Sequence, residues 1–279
     1  LHVTADVSYA VDQYARAAND LDFMSRYGLE ILLETARYWA SRVTKDDKGQ
    51  YHLDGAAGPC EFAAPGRDNA YTNLMLRRNV QAALKWHADL SAQRPKAVAA
   101  VARKISLKPA ELKQWRDVAD KLCIPTVPGT DIPLQDESFL KKEQIDVVAK
   151  GLRNDPDTWG FPWWTLGKYR VIKQADVVLA ALLLEDSFSR DQLKRIYEYY
   201  DPMTLHISSL SRNTSATVAA KLNRMDEAYD QFVKTALLDL NLGRTITDHL
   251  LELPADPGAS VADLHSTLAE RAGEPASPE

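Results

Sequence analysis

Apolar residues return every three or four positions along most of this chain, and that spacing is the strongest constraint on its fold, because it places them on one face of an α-helix. A first pattern runs through Tyr9, Val11 and Tyr14 to about Ala18 and predicts a helix with Thr4 as its N-cap. A second, with Asp20 as N-cap, starts at Leu21 and continues through Ile31, Leu32, Thr35, Tyr38 and Trp39 to near Thr44, where Lys45-Asp46-Asp47-Lys48-Gly49 makes a turn. Gln50 to Ala57 has room for one short strand. Helices are then predicted over about Asn69 to Ala88 and over Ala97 to Lys104, with Pro95 between them, and from Pro109, placed in a first turn, to about Leu122. Ile124 to Leu140 carries three prolines and no helical period. Beyond it, helices are expected over Glu143 to Leu152, Tyr169 to Glu185, Asp191 to Tyr199, Thr214 to Leu222 and Glu227 to Leu240. The pattern predicts an all-α fold of helical hairpins, built as a toroid, barrel or bundle. No repeat of fixed period supports a solenoid.

Composition narrows the function. With 279 residues, 45% hydrophobic and 26% charged, the chain can bury the core of one large domain or two small ones. The net charge of −5 is dispersed and no Lys/Arg stripe alternates with aromatics, so neither nucleic acid nor an anionic membrane is an expected partner. The longest apolar run, Val177 to Leu184, is far short of the ~20 residues that span a bilayer. Cys60 and Cys123 show no metal-ligand spacing, which points to free thiols in a reducing compartment, with the cytoplasm as the expected location and no metal.

Four loop-rich segments carry residue types suited to sugars, which offer hydroxyls at their edges and C–H groups on their faces. They are Gly58 to Asn73 with the acid Glu61, Pro133-Leu134-Gln135-Asp136, Trp159 to Trp164 with the nearby Lys173-Gln174, and Thr204 to Ser211 with Ser208, Ser209 and His206. A lysine beside an apolar helix, as Lys173 is, must find a partner or reach solvent.

Taken in order, the stretches LHVTADVSYAVDQY, EILLETARYWASRV, GPCEFAAPGRDNAYTN, IPLQDESFL, VIKQADVVL and YYDPMTLHISSLS resemble the family 65 glycoside phosphorylases and hydrolases. The resemblance covers roughly Leu1 to Leu240. It implies a catalytic domain with the (α/α)6 barrel fold, of which this chain is the later part: a partial barrel over 1–250, then a divergent C-terminal tail over 251–279, partly disordered, with one helix over Val261 to Arg271. It implies that Glu61 falls on the family's general acid, that Lys173 and Gln174 match the Lys-Gln pair holding the glucosyl unit, and that Ser208 and Ser209 match part of the phosphate site. The activity implied is inverting phosphorolysis of an α-linked glucose disaccharide such as maltose, trehalose or kojibiose to β-glucose 1-phosphate. Inorganic phosphate is then co-substrate, no cofactor is needed, and a homodimer is one oligomeric state open to the chain. The alternatives are an α-glucoside hydrolase of the same fold, which needs a second carboxylate about 6.5–9.5 Å from the acid, and a non-catalytic protein that keeps sugar affinity or a structural role.

Several positions depart from the family pattern. Cys60 stands where Asp accompanies the catalytic Glu, and loss of that charge is expected to shift the pH at which Glu61 holds its proton. Pro59, Phe62 and Ala63 are expected to surround the acid with apolar groups and disfavour its anion. Ala63 replaces a His and Ile207 an Asp. The family's Trp-Asp glucose motif lies upstream of Leu1, and the segment Asn241 to His249 does not match the motif that carries its phosphate-binding His, so His249 receives no role.

Overall fold

The computed structural model describes residues 2–63, 65–148, 163–206 and 209–237. The chain divides into two units, Leu1–Gln231 and Phe232–Glu279. In the second, residues 232–237 are helical, and the expected tail helix over Val261 to Arg271 lies outside the described residues.

In the first unit, helix α1 spans Val3–Ala18. Thr4 lies inside it; the capping position is His2, whose side chain makes no capping bond. Asn19 ends the helix in a left-handed conformation, with φ of 49°. Asp20 does cap the next segment, its carboxylate accepting the Phe23 N–H at 2.8 Å. That segment is three elements in succession: α2 (Leu21–Phe23), a π-helical turn (Met24–Gly28) and α3 (Leu29–Arg42). The widened turn folds the Met24 side chain against Gly28, where a Cβ would sit 2.3 Å from its sulfur. α3 stops two residues earlier than expected because Val43–Lys45 is a strand, β1, which pairs antiparallel with β2 (Tyr51–Leu53) in the register Val43↔Leu53. Asp46 closes the hairpin by accepting the N–H groups of Lys48 and Gln50.

Helix α4 (Ala70–Gln93) lies against α1, α3 and α6 (Pro109–Lys121), and α5 (Pro95–Lys104) follows it after a break at Arg94. Both Pro95 and Pro109 occupy first turns, where the missing N–H has no intrahelical partner to lose. These helices bury a first core cluster that includes Leu29, Leu32, Leu33, Trp39, Leu76 and Trp115.

Two expectations fail in the second half. Glu143 to Val148 is not helical, and residues 149–152 lie outside the described residues. Glu143 uses its backbone instead to bridge the neighbourhood of Tyr169, donating to the Lys168 carbonyl at 3.0 Å and accepting from Arg170 at 2.8 Å. The helix expected from Tyr169 begins only at Asp176, as α7 (Asp176–Leu183). Before it, Ile172 pairs with Thr204 in a parallel bridge that takes up both of its backbone groups. Tertiary pairing has overridden the local apolar pattern there. Helices α8 (Arg190–Tyr200) and α9 (Ser209–Lys221) complete a second core cluster with Phe139, Ile172, Val178, Ile196, Tyr197 and Tyr200. No helix among the described residues is long and apolar enough to cross a membrane.

Candidate active site

The loop from Gly58 to Asp68 leaves β2 and enters α4, and its two ends are fixed by different means. At the exit, Asn69 caps α4 by accepting the Thr72 N–H at 3.0 Å. At the entrance, Gly58 packs so closely on the polar groups beneath it that a Cβ there would lie 2.8 Å from Asn69 Oδ1 and 3.1 Å from Asp176 Oδ2. Between these ends Cys60 and Phe62 join the second core cluster, and the Ala63 N–H returns to the Cys60 carbonyl at 3.0 Å in a tight turn. Glu61 sits at the crest of that turn.

The bridge between Ile172 and Thr204 delivers the second part of the site. It leads into a bend at Lys173 and Gln174, directly beside the Cys60–Glu61 turn. The Lys173 N–H donates to Cys60 Sγ at 3.4 Å, the Glu61 N–H donates to Gln174 Oε1 at 3.4 Å, and the Lys173 ammonium pairs with the Glu61 carboxylate. Residues more than a hundred positions apart in sequence thus meet through three contacts. Lys173 has found the partner that its apolar surroundings demanded.

The environment of Glu61 differs from the apolar one expected. Its side chain is 62% exposed, whereas Phe62 and Ala63 turn inward and are buried. Phe62 and Ala63 therefore form the underside of the turn, Pro59 is half-buried, and the carboxylate faces solvent and an ammonium group. Cys60 also points down. It is fully buried, and burial, reinforced by the nearby negative charge of Asp176, pushes its thiol up to about 11, so it stands as a neutral thiol beneath the acid.

Below the turn lies a buried polar layer in which Gln135, from the Pro133–Asp136 segment, meets Asp176, an acid the sequence did not single out. Asp176, the first residue of α7, is 1% exposed; its Oδ1 accepts the Val177 N–H at 3.0 Å and its Oδ2 accepts from Gln135 Nε2 at 3.4 Å. Desolvation raises its pKa from 3.8 to about 7, with the charge of Asp136 adding to the rise. Gln135 also accepts the Ala70 N–H through its backbone carbonyl at 2.9 Å, so the Pro133–Asp136 segment braces the start of α4. The signal available in sequence was the acid in Lys173-Gln174-Ala175-Asp176, one turn inside an otherwise apolar stretch.

The third part of the site, the Thr204 to Ser211 segment, is described only in part. His206 is buried with a φ of 55° and its Nε2 lies 3.0 Å from Asp201 Oδ1. Ser208 lies outside the described residues, and Ser209 is the first residue of α9. Trp159 lies outside them too, and Trp163 and Trp164 open a 3-10 turn running to Lys168.

Comparison with known proteins identifies the family and the fold. A kojibiose phosphorylase from Caldanaerobacter subterraneus subsp. tengcongensis is 38% identical over 242 residues, which cover 86% of this chain and 31% of that protein. An α,α-trehalose phosphorylase from Geobacillus stearothermophilus is 36% identical over 245 residues, with the same coverage of 86% and 31%. The solved structure of a candidate kojibiose phosphorylase from the human microbiome superposes with a TM-score of 0.77 at 27% identity, over 88% of this chain and 34% of that one. The chain therefore spans about a third of the length of the relatives it matches, and its helices form part of an (α/α)6 barrel. Residues 1–253 match the profile of the glycosyl hydrolase family 65 central catalytic domain, and the chain belongs to that family.

Proposed function

We propose that this chain carries the acid and glucose-holding part of an inverting α-glucoside phosphorylase, with Glu61 as proton donor, Lys173 and Gln174 as sugar-binding groups and Ser208 and Ser209 as phosphate-binding groups. The observation that supports the reading is the direct meeting of Glu61 with Lys173 and Gln174 at the surface of the site. An exposed carboxyl at the crest of a rigid turn can reach a glycosidic oxygen, and the adjacent ammonium and amide can donate to the hydroxyls of the sugar whose bond is to be broken.

In this reaction a phosphate oxygen attacks the anomeric carbon from the face opposite the departing oxygen. The Glu61 carboxyl gives its proton to that oxygen as the carbon–oxygen bond breaks, and the configuration inverts to yield β-glucose 1-phosphate and a free sugar. A single protein carboxyl suffices, because phosphate itself is the nucleophile. Substrates in this class are α-linked glucose disaccharides such as kojibiose, trehalose and maltose, named for the relatives of this chain.

The test is incubation of the purified protein with kojibiose, trehalose, maltose or nigerose, with and without phosphate. The expected result is β-glucose 1-phosphate formed only when phosphate is present, with kcat lowered about 10²–10⁴-fold by Glu61→Gln and KM for the disaccharide raised by Lys173→Ala. Free glucose released without phosphate would replace this reading with hydrolysis. Turnover unaffected by Glu61→Gln would remove Glu61 as the donor.

A further inference from the structure

The base of the same loop gathers three metal-ligating side chains that phosphorolysis does not use. His52 comes from β2, Asp68 from the end of the loop and Cys123 from the segment after α6, and one ring nitrogen, one carboxylate oxygen and the Cys123 sulfur all lie within 4.8 Å of one another. We propose that His52, Asp68 and Cys123 form a binding site for a divalent cation of the zinc class, tying both ends of the Gly58–Asp68 loop to the segment that follows α6.

The donor set is one nitrogen, one oxygen and one sulfur, which suits a borderline-soft cation such as zinc and leaves a fourth tetrahedral position for water. The surrounding groups orient the ligands as those around metal centres do. Asp46 Oδ2 stands 3.4 Å from His52 Nε2, so a proton held there leaves the Nδ1 lone pair facing the cluster. Asp68 is buried, and its Oδ1 is occupied by the Leu53 N–H at 3.0 Å and Asn73 Nδ2 at 3.1 Å, so Oδ2 is the atom turned to the site. Asn73 Nδ2 also donates to the Cys123 carbonyl at 2.8 Å and fixes that strand of chain.

Without a metal, protons hold the cluster together. His52 Nδ1 and Asp68 Oδ2 are 2.6 Å apart, and the Cys123 sulfur lies within 4.8 Å of the ligand atoms of both residues. A bound cation takes the place of these protons: the thiol and the His52–Asp68 contact each release one to solvent, and Nδ1 and Oδ2 separate from 2.6 Å to about 3.4 Å, the spacing set by ~2.1 Å bonds in a tetrahedron. Arg67, whose Nε is 3.8 Å from Asp68 Oδ2, is part-exposed and has Asp54 and Glu137 as other partners to turn to. The sequence argued against a metal here because ligands drawn from three separate segments leave no local spacing to read.

Cobalt(II) is the probe, because a cysteine thiolate bound to it produces a charge-transfer band in the near ultraviolet that other ligands do not. The purified protein is expected to develop this band with about one cobalt per chain and to lose it on adding zinc. Cys123→Ser is expected to abolish the band, and His52→Gln to weaken cobalt binding at least about tenfold. The only other thiol is Cys60, so a Cys60→Ala chain that keeps the band assigns it to Cys123 even where Cys123→Ser does not fold. No band in the parent protein, a band that survives Cys123→Ser, or one lost in Cys60→Ala would overturn the proposal.

Discussion

At the scale of single residues, the group with most leverage over the site is Asp176, which touches no solvent and lies under Gly58. Its pKa in the folded state, about 7, exceeds its unfolded value near 3.8, so between those limits the folded protein holds a proton that the unfolded chain has released. The stabilisation this gives is complete below about pH 3.8, shrinks as pH rises and is gone above about 7. Gln135 offers the neutral acid a further contact: its Oε1 has no hydrogen-bond partner among the described residues, and with its amide turned over it would accept the Asp176 proton. Asp176→Asn mimics the neutral acid. The variant is expected to resist urea better than the parent at pH 8, by on the order of a few kcal/mol, with the difference much reduced at pH 5 and closing towards pH 3.8. Urea titrations at both values check this, and an equal offset at both would show that desolvation of Asp176 is not its source. Gly58 shares the same contact, and the 3.1 Å approach of a Cβ to Asp176 Oδ2 explains why the turn starts with glycine there.

Elements show where sequence was readable and where it was not. The starts of α4 and α6 were legible because each depends on a local device, the Asn69 cap or a proline in the first turn, whereas α5 begins at Pro95, which the sequence offered as a separator ahead of Ala97. Asn69 is buried, and its Oδ1 serves both the N–H and the hydroxyl of Thr72, at 3.0 and 3.1 Å. Asn69→Ala is therefore expected to cost about 1–2 kcal/mol, read as a shift in the urea midpoint, whereas Asn69→Ser should retain most of the cap; equal losses would mean that burial rather than capping matters. Strand β1, the extended run before α7 and the bridge at Glu143 were not legible. The last two are settled by partners distant in sequence: Ile172 and Glu143 read as parts of helices until Thr204 and Tyr169 claim their backbones, while β1 is settled by its hairpin partner β2. The same distinction separates the site residues. Glu61, Lys173 and Gln174 could be found from the motifs around them. The exposure of Glu61, the inward turn of Cys60 and the polar layer of Gln135 and Asp176 depend on which side of the loop faces the core, and a one-dimensional pattern of Pro, Ala and Gly does not carry that information.

Across the first unit as a whole, the two core clusters have different relations to the site. The first holds α3, α4 and α6 together around Leu33 and Trp39, while the second runs directly under the Glu61 turn through Cys60, Phe62, Ile172 and Val178. A cavity opened in either should lower stability to a similar degree, about 2–5 kcal/mol for a buried Leu or Ile cut back to Ala. Function should separate them. Ile172 is fully buried and precedes Lys173, and its backbone pairs with Met203 and Leu205 on the neighbouring segment. Shrinking that side chain loosens the support that holds Lys173 and Gln174 against Glu61, and misplacement of such groups by an ångström is costly to a reaction that depends on orientation. Ile172→Ala is therefore expected to raise KM for the disaccharide and lower kcat, and Leu33→Ala to leave both near the parent values when each is assayed well below its own unfolding transition. Urea midpoints establish that the two variants are comparably destabilised, and steady-state rates with disaccharide and phosphate then compare their sites. Equal loss of activity in both would mean that the core acts on the site through overall stability. A loss confined to Ile172→Ala would place the control in the second cluster, where packing, backbone pairing and the buried carboxyl of Asp176 all bear on the same few residues.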